Sequence, residues 1–430
     1  MKQKYCIMKK FVYFIIFASI FVACDNKPEM DNETNTDEQV ANLELKDGTI
    51  VEHSFSLSNA TPLVVDLSEQ EKELLGQYDP FLKQLFTSLC EKPDNDNICF
   101  SPMSLQVLLG MILNGFDENV QSELIELFWK KDVGMDLINS SYAKTKMALE
   151  NTNCVKMSNG LWLQKGFKVY DSFLNIGRNY YNSEIGNLDF KSSVQSSLDS
   201  ICQWAYDNTY GKIKKLDLEN FGALTAMVLA NTTWFSSEWA SPFDTTNTHN
   251  GQFYRSDGQI ETVKMMEKMD RMPYKIFETY NTVSLAFKHN SYRMDIVVPH
   301  DGYSIESIIP DIDWSIPLDT GLVVLDMPKF HISSNTKMRP ILEDNIGAYK
   351  LFAGGTLGNL TDESDNVHVI YINQTLEMDV SESGVEAAAG TVANVVLRSF
   401  NIMIDRPFVF AIRDNATGSF LFMGKVNHIN

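Results

Sequence analysis

The seven histidines of this 430-residue chain are scattered singly, none at metal-ligand spacing, and no G-x-S-x-G, H-E-x-x-H or P-loop motif occurs. There is thus no nucleophile elbow, zinc-protease helix or phosphate cradle from which to build an enzyme. Cysteine is sparse as well: six residues and no C-x-x-C pair, which argues against a zinc ribbon or a thioredoxin-type redox motif. Positive charge is in short supply, with 36 Lys and Arg against 56 Asp and Glu and a formal net charge of -20. Such a surface repels nucleic acid and anionic lipid, so no polyanion-binding role is expected. The apolar run Phe11–Val22 is too short to cross a bilayer as a stable helix.

Hydrophobic residues make up 44% of the chain and charged residues 21%, enough for a sizeable globular core. The first residues read as a secretory leader: Lys2, Lys4, Lys9 and Lys10, then the apolar run, then Phe21-Val22-Ala23 ahead of Cys24. This leader resembles a bacterial lipoprotein box with Cys24 as the lipidated residue. The expected boundaries are a signal peptide at 1–23, an acidic flexible tether at 24–66 and a folded domain at 67–430. Asp25 to Asn42 is acidic, rich in Asn and Thr, and poor in apolar residues, a composition that favours disorder. Losing the leader removes four lysines and no acids, leaving 32 basic residues against 56 acidic ones. The folded part keeps Cys90, Cys99, Cys154 and Cys202, read as free thiols, although an exported protein could bridge them.

Ser68-Glu69-Gln70-Glu71 has the form of a capping box, predicting a helix to about Leu89, bent near Pro80. In the next segment Ser101 is a cap and Pro102 a first helical residue. Leu105, Leu108, Leu109, Ile112 and Leu113 then give a buried helical stripe that Asn114-Gly115 ends. Strands are predicted at 225–235, with Asn231 as an awkward buried polar group, and at 283–287 and 292–299 around an Asn290-Ser291 turn. Further strands are predicted at 322–330, 367–380, 408–413 and 420–426, with a helix over 338–352. Gly354 to Gly358 is glycine-rich but has no following lysine, and reads as a helix-ending turn. Asp311, Asp313 and Asp362 to Asp365 read as solvated loop acids.

Five separated stretches then carry a resemblance: NICFSPMSLQVLLGM (97–111), NTTWFSSEWASPFD (231–244), MPKFHIS (327–333), ESGVEAAAGT (382–391) and RPFVFAIRDNATGSFLFMGKV (406–426). In order and spacing the chain resembles the serpins, over roughly 67 to 426. The resemblance implies an α+β fold: one large domain with three β-sheets, about eight or nine helices and an exposed reactive-centre loop at about 382–404. It implies a polar shutter cluster of Ser101, Ser104 and Asn231, with Gln374 standing where the family usually has histidine. It also implies a breach at the top of the main sheet, where Lys329 pairs with Glu382 and Trp239 packs nearby. Within the loop it marks a hinge at Glu382, Gly384, Val385, Ala387, Ala389 and Thr391.

The hinge composition fits a segment that later becomes a central strand. Taking Val385 as inward-facing, the inward set is Val385, Ala387, Ala389, Thr391, Ala393 and Val395. All are small or β-branched, and none is charged or proline. The family's cleavage position, fourteen residues past Gly384, falls on Arg398, with Ser399 beginning the leaving segment. Pro407 follows only nine positions after Arg398, so a shorter loop would shift the cut to Leu397 or Val396 and suit elastase-like proteases. The resemblance therefore implies an inhibitor and not an enzyme: a suicide substrate for trypsin-like or Arg-specific cysteine proteases, trapped as a covalent complex. The alternative is a non-inhibitory carrier or chaperone. No cofactor, metal or nucleic acid is expected. A monomer is expected, touching membrane only through lipid on Cys24, at the outer membrane, the cell surface or facing the periplasm.

Overall fold

The computed structural model describes residues 67–429 apart from 76–79, 92–95, 130–132, 153, 215, 217–220, 223, 363–366, 370–371 and 383–398, together with the backbone of 12–18, 40–44 and 50–54. Among the described residues there are nine α-helices: α1 (Glu69–Leu75), α2 (Pro80–Cys90), α3 (Pro102–Leu113), α4 (Glu118–Trp129), α5 (Met135–Glu150), α6 (Asp171–Asn179), α7 (Val194–Asn208), α8 (Ile305–Ile308) and α9 (Tyr349–Phe352). The strands are β1 (Val12–Ala18), β2 (Val40–Glu44), β3 (Ile50–Ser54), β4 (Ile98–Phe100), β5 (Val155–Gln164), β6 (Ser183–Leu188), β7 (Met227–Ser237), β8 (His249–Tyr254), β9 (Ile260–Ile276), β10 (Tyr280–Ala286), β11 (Tyr292–Pro299), β12 (Asp319–Pro328), β13 (Phe330–Lys337), β14 (Asn373–Val380), β15 (Phe400–Met403), β16 (Phe408–Asp414) and β17 (Phe420–Val426). They form three sheets, of six, nine and two strands.

The six-stranded sheet has the order β13-β14-β1-β7-β5-β6. The nine-stranded sheet runs β15-β12-β9-β10-β11-β16-β17-β4, with β8 on the free side of β9. The 17-residue β9 joins its two halves, pairing with β8 over 260–265, with β12 over 265–274 and with β10 over 274–276. Between the two large sheets lies the core, in which β16 and β17 are buried at every position and α3 at eleven of its twelve. An α-helix with no polar face is stable only where other elements cover it all round.

Local signals place these elements. The Ser68 amide donates to Glu71 Oε2 at 2.8 Å and the Glu71 amide to Ser68 Oγ at 3.2 Å, the reciprocal pair of a capping box. Ser101 Oγ accepts from the Ser104 amide at 3.0 Å, and Pro102 begins α3. In the β10–β11 turn His289 and Asn290 take φ values of 65° and 56°. The segment 338–352, expected to be one helix, is instead a short wide turn at 341–345 followed by the four-residue α9. Gly347 at φ 88° stands between them and breaks the helical path.

Strand β1 bears most directly on function. It lies between β7 and β14 and runs antiparallel to both, pairing Val12–Ala18 with Ser237–Asn231 and Tyr13–Ala18 with Asp379–Gln374. The leader is read from sequence as lying outside the fold, yet in the full chain its residues 12–18 take this central position. Two facing strand edges offer unpaired amides and carbonyls, and the β-prone run VYFIIFA satisfies both. Within the expected tether, Val40–Glu44 and Ile50–Ser54 pair with each other, so that segment is not wholly extended.

Candidate functional site: a sheet slot, its lock and its hinge

The slot between β7 and β14 is bridged from below by a buried polar chain. The Gln374 side chain on β14 pairs twice with the backbone of Ser101: the Ser101 amide donates to its Oε1 and its Nε2 donates to the Ser101 carbonyl, each at 3.0 Å. From the same helix start, Ser104 Oγ meets Thr233 Oγ1 on β7 at 2.7 Å, and Thr233 Oγ1 donates to Asn231 Oδ1 at 3.2 Å. Asn231 Nδ2 continues to Asn159 Oδ1 on β5 at 2.7 Å, and Asn159 Nδ2 to the Tyr181 carbonyl at 2.6 Å. Ser101, Ser104, Asn231, Thr233 and Gln374 are fully buried. The expected shutter residues Ser101, Ser104, Asn231 and Gln374 therefore belong to one network, with the N-terminus of α3 holding both strands that flank the slot. A side-chain amide offers both a donor and an acceptor, so Gln374 pairs with the N–H and the C=O of the same residue, Ser101. Thr233 was not singled out from sequence, although it lies two residues from Asn231 and hence on the same strand face. Asn159 gave no such signal.

At the upper end of the slot, β14 leads straight to the hinge. Lys329 Nζ lies 2.7 Å from Glu382 Oε2, and Thr248 Oγ1 donates to Glu382 Oε1 at 2.8 Å. Burial works against the Glu382 charge, yet hydrogen bonds from Lys329, its own backbone and Thr248 outweigh it and hold the carboxyl below its usual range. Trp239 caps this point, donating from Nε1 to the Ser381 carbonyl at 3.0 Å and stacking on Phe287 at 4.6 Å. Lys329, Glu382 and Trp239 thus meet at one point, with Thr248 and Phe287 beside them. The hinge residues Gly384, Val385, Ala387, Ala389 and Thr391, the cleavage candidates Arg398, Leu397 and Val396, and Cys24 lie outside the described residues. Ser399 is exposed, directly before β15.

On the outer face of β13–β14, His331 Nδ1 lies 2.7 Å from Asp379 and Nε2 3.1 Å from Glu377. The hydrogen bond to Asp379, then that to Glu377, pushes the imidazole up to about 10. A raised histidine stabilises the fold fully below its unfolded value, near 6.5, and loses that contribution as pH climbs through the folded one. We therefore expect the His331 ring to stay protonated at pH 8, giving a histidine NMR resonance that does not titrate between pH 6 and 8. A midpoint near the ordinary value would show that the clamp is absent in solution.

Of the remaining sequence candidates, Glu363 and Asp365 lie outside the described residues. Asp313 Oδ1 accepts from the Ser315 amide at 2.8 Å and its hydroxyl at 2.6 Å, a local loop turn. Gly354, at φ 90°, follows the end of α9 as a helix stop. Cys90, Cys99, Cys154 and Cys202 are all unbridged, and burial pushes the thiols of Cys90 and Cys99 up.

Comparison with known proteins agrees with this architecture. A family model described as "Serpin (serine protease inhibitor)" matches residues 77–429. Glia-derived nexin of Mus musculus is 29% identical over 80% of this chain and 90% of its own length. Leukocyte elastase inhibitor of Xenopus tropicalis is 26% identical over 80% of this chain and 96% of its own. Among solved structures, Arabidopsis AtSerpin1 in its native stressed conformation superposes with TM-score 0.72 at 20% identity, covering 84% of this chain and 99% of that one. A thyroxine-binding globulin complex with thyroxine also reaches 0.72, at 24% identity, covering 84% of this chain and 100% of that one. With the family model matching residues 77–429, most of its length, the chain belongs to the serpin family.

Proposed function

We propose that this protein inhibits a trypsin-like serine protease as a suicide substrate. The protease acylates at Arg398, the segment from Ser399 leaves, and the freed loop enters the slot between β7 and β14 before the ester is hydrolysed. One observation supports this reading above the rest. The slot takes a single strand antiparallel to both neighbours, and the loop begins at Glu382, two residues past the end of β14. An Arg side chain at 398 suits the acidic specificity pocket of such a protease. Arg-specific cysteine proteases, which form the corresponding thioester, fit the same loop. Removing residues 1–23 would vacate the slot, and lipid on Cys24 would hold the exported domain at the outer membrane or cell surface. That anchoring rests on the leader sequence alone.

The test is incubation of the leader-free protein with trypsin, read on a denaturing gel. An SDS-stable complex is expected, and Arg398→Ala should abolish it. Mass spectrometry of the released C-terminal peptide should begin at Ser399. A cut after Val396 or Leu397 would move the assignment to elastase-like targets. Cleavage with no complex would favour the carrier reading.

A further inference from the structure

Three strands of the nine-stranded sheet bring three metal-binding side chains to one point. His249 opens β8, Glu267 lies within β9 and Asp326 near the end of β12, and one ligand atom from each lies within 4.8 Å of the other two. The register accounts for the meeting. Asp326 stands directly opposite Glu267. His249 stands opposite Met265, two residues from Glu267 and so on the same face. Separations of 18 and 59 positions hid this cluster from any reading of ligand spacing.

Taken alone, the arrangement is unfavourable. Like charges directly opposite each other in an antiparallel pair repel. The lysines closest in sequence are engaged elsewhere: Lys268 with Asp270 and the Ser241 carbonyl, Lys264 with Asn250 at 2.8 Å, and Lys329 with Glu382 at 2.7 Å. Asp326 Oδ1 is closed off from solvent and has no hydrogen-bond partner. A buried oxygen left so costs stability unless a donor or cation meets it. The Nδ1 of His249 lies 3.3 Å from the Asn247 carbonyl, a contact that favours the tautomer whose other nitrogen can ligate.

We propose that His249, Glu267 and Asp326 form a divalent-cation site. One imidazole nitrogen and two carboxylate oxygens suit zinc, with water completing a tetrahedron. The ion would cancel the carboxylate repulsion, give Asp326 Oδ1 its missing partner and tie β8, β9 and β12 together. Its place in the fold gives it a consequence. Among the described residues edge strand β15 pairs only with β12, Asp326 faces Met403, and the Asp326 carbonyl accepts from the Ile404 amide at 2.8 Å. Strand β15 begins two residues after Arg398, so the strand carrying Asp326 anchors the far end of the loop. The binding site stands without the inhibitory reading; only its effect on the loop rests on that reading.

The experiment is calorimetric titration of the full-length protein, stripped with EDTA and desalted, with zinc chloride in a non-chelating buffer. One zinc per chain is expected, with affinity reduced at least tenfold in both His249→Ala and Asp326→Asn. His331→Ala should bind as the parent does, because that ring is already taken by Glu377 and Asp379. Zinc should raise the melting temperature of the parent and of His331→Ala only. If a variant fails to fold, cobalt loading of the parent decides. The visible spectrum of a tetrahedral nitrogen–oxygen site supports the proposal, and a thiolate charge-transfer band overturns it by pointing to the cysteines. Equal binding by all variants, or no saturable binding, also overturns it. Each of these outcomes is independent of whether a protease complex forms.

Discussion

Cutting the loop at Arg398 is expected to raise the melting temperature of the leader-free protein by roughly 10–20 °C. The estimate follows from the slot. A strand of about fourteen residues placed between β7 and β14 makes on the order of two dozen backbone hydrogen bonds, at ~1 kcal/mol net each. Ordering the loop costs ~1 kcal/mol or more per residue, and apolar surface sealed beneath the strand adds to the gain. A net of order 10 kcal/mol remains. For a domain this large each kcal/mol moves the midpoint by roughly 1–2 °C, extrapolating the size trend. On this expectation the intact leader-free protein is a kinetically held state. In the full chain β7 and β14 already stand one strand apart around β1 with the two bonds between Gln374 and Ser101 and the contact between Ser104 and Thr233 intact, so this polar chain is compatible with an occupied slot. The check is a pair of thermal melts, on intact protein and on protein nicked by catalytic protease. Coincident midpoints would mean that the loop does not insert, which would remove the basis for a trapped protease.

How much of this was legible in the sequence depends on how local each signal is. Helix α3 was readable because its cap, its first proline and its apolar spacing sit within fourteen residues. Strand β17 was readable because Phe420-Leu421-Phe422-Met423 form an apolar run just after the turn residues 415–418. The run 338–352 misled because its apolar spacing suits a helix while Gly347 turns the backbone to positive φ. Gln374 was found by position within a family pattern. Its two hydrogen bonds to Ser101 join segments 273 residues apart in sequence. The His249–Glu267–Asp326 cluster depends wholly on sheet register and so left no trace in local spacing. The pairing of residues 12–18 was equally unreadable, because an apolar leader does not announce which open strand edges will meet it.

Replacing Ala387 by arginine should turn the inhibitor into a substrate. Inward positions of the slot face buried side chains on both sides. On β7 these are Phe235 and Thr233, and on β14 Met378 and Leu376, all fully buried. The register of β1 sets the levels, with residue 14 between Phe235 and Met378 and residue 16 between Thr233 and Leu376. A loop entering from the hinge in the same direction, with Val385 inward, carries 387 inward as well. Arginine there would bury a guanidinium among apolar groups and hydroxyls with no carboxylate to meet it, at a cost of several kcal/mol. Even ~2–3 kcal/mol of that cost expressed in the insertion barrier slows insertion roughly 30- to 150-fold. Deacylation by the bound protease is untouched, so most acyl-enzyme would hydrolyse before the loop is in place. The expected outcome is a stoichiometry of inhibition raised more than tenfold, with cleaved protein accumulating and little covalent complex. It is measured by titrating a fixed amount of trypsin with the variant and reading residual activity beside a denaturing gel. Ala387→Val, small enough for the slot, should inhibit as the parent does. Retained one-to-one inhibition by the arginine variant would show that the trap closes without this segment becoming a buried strand.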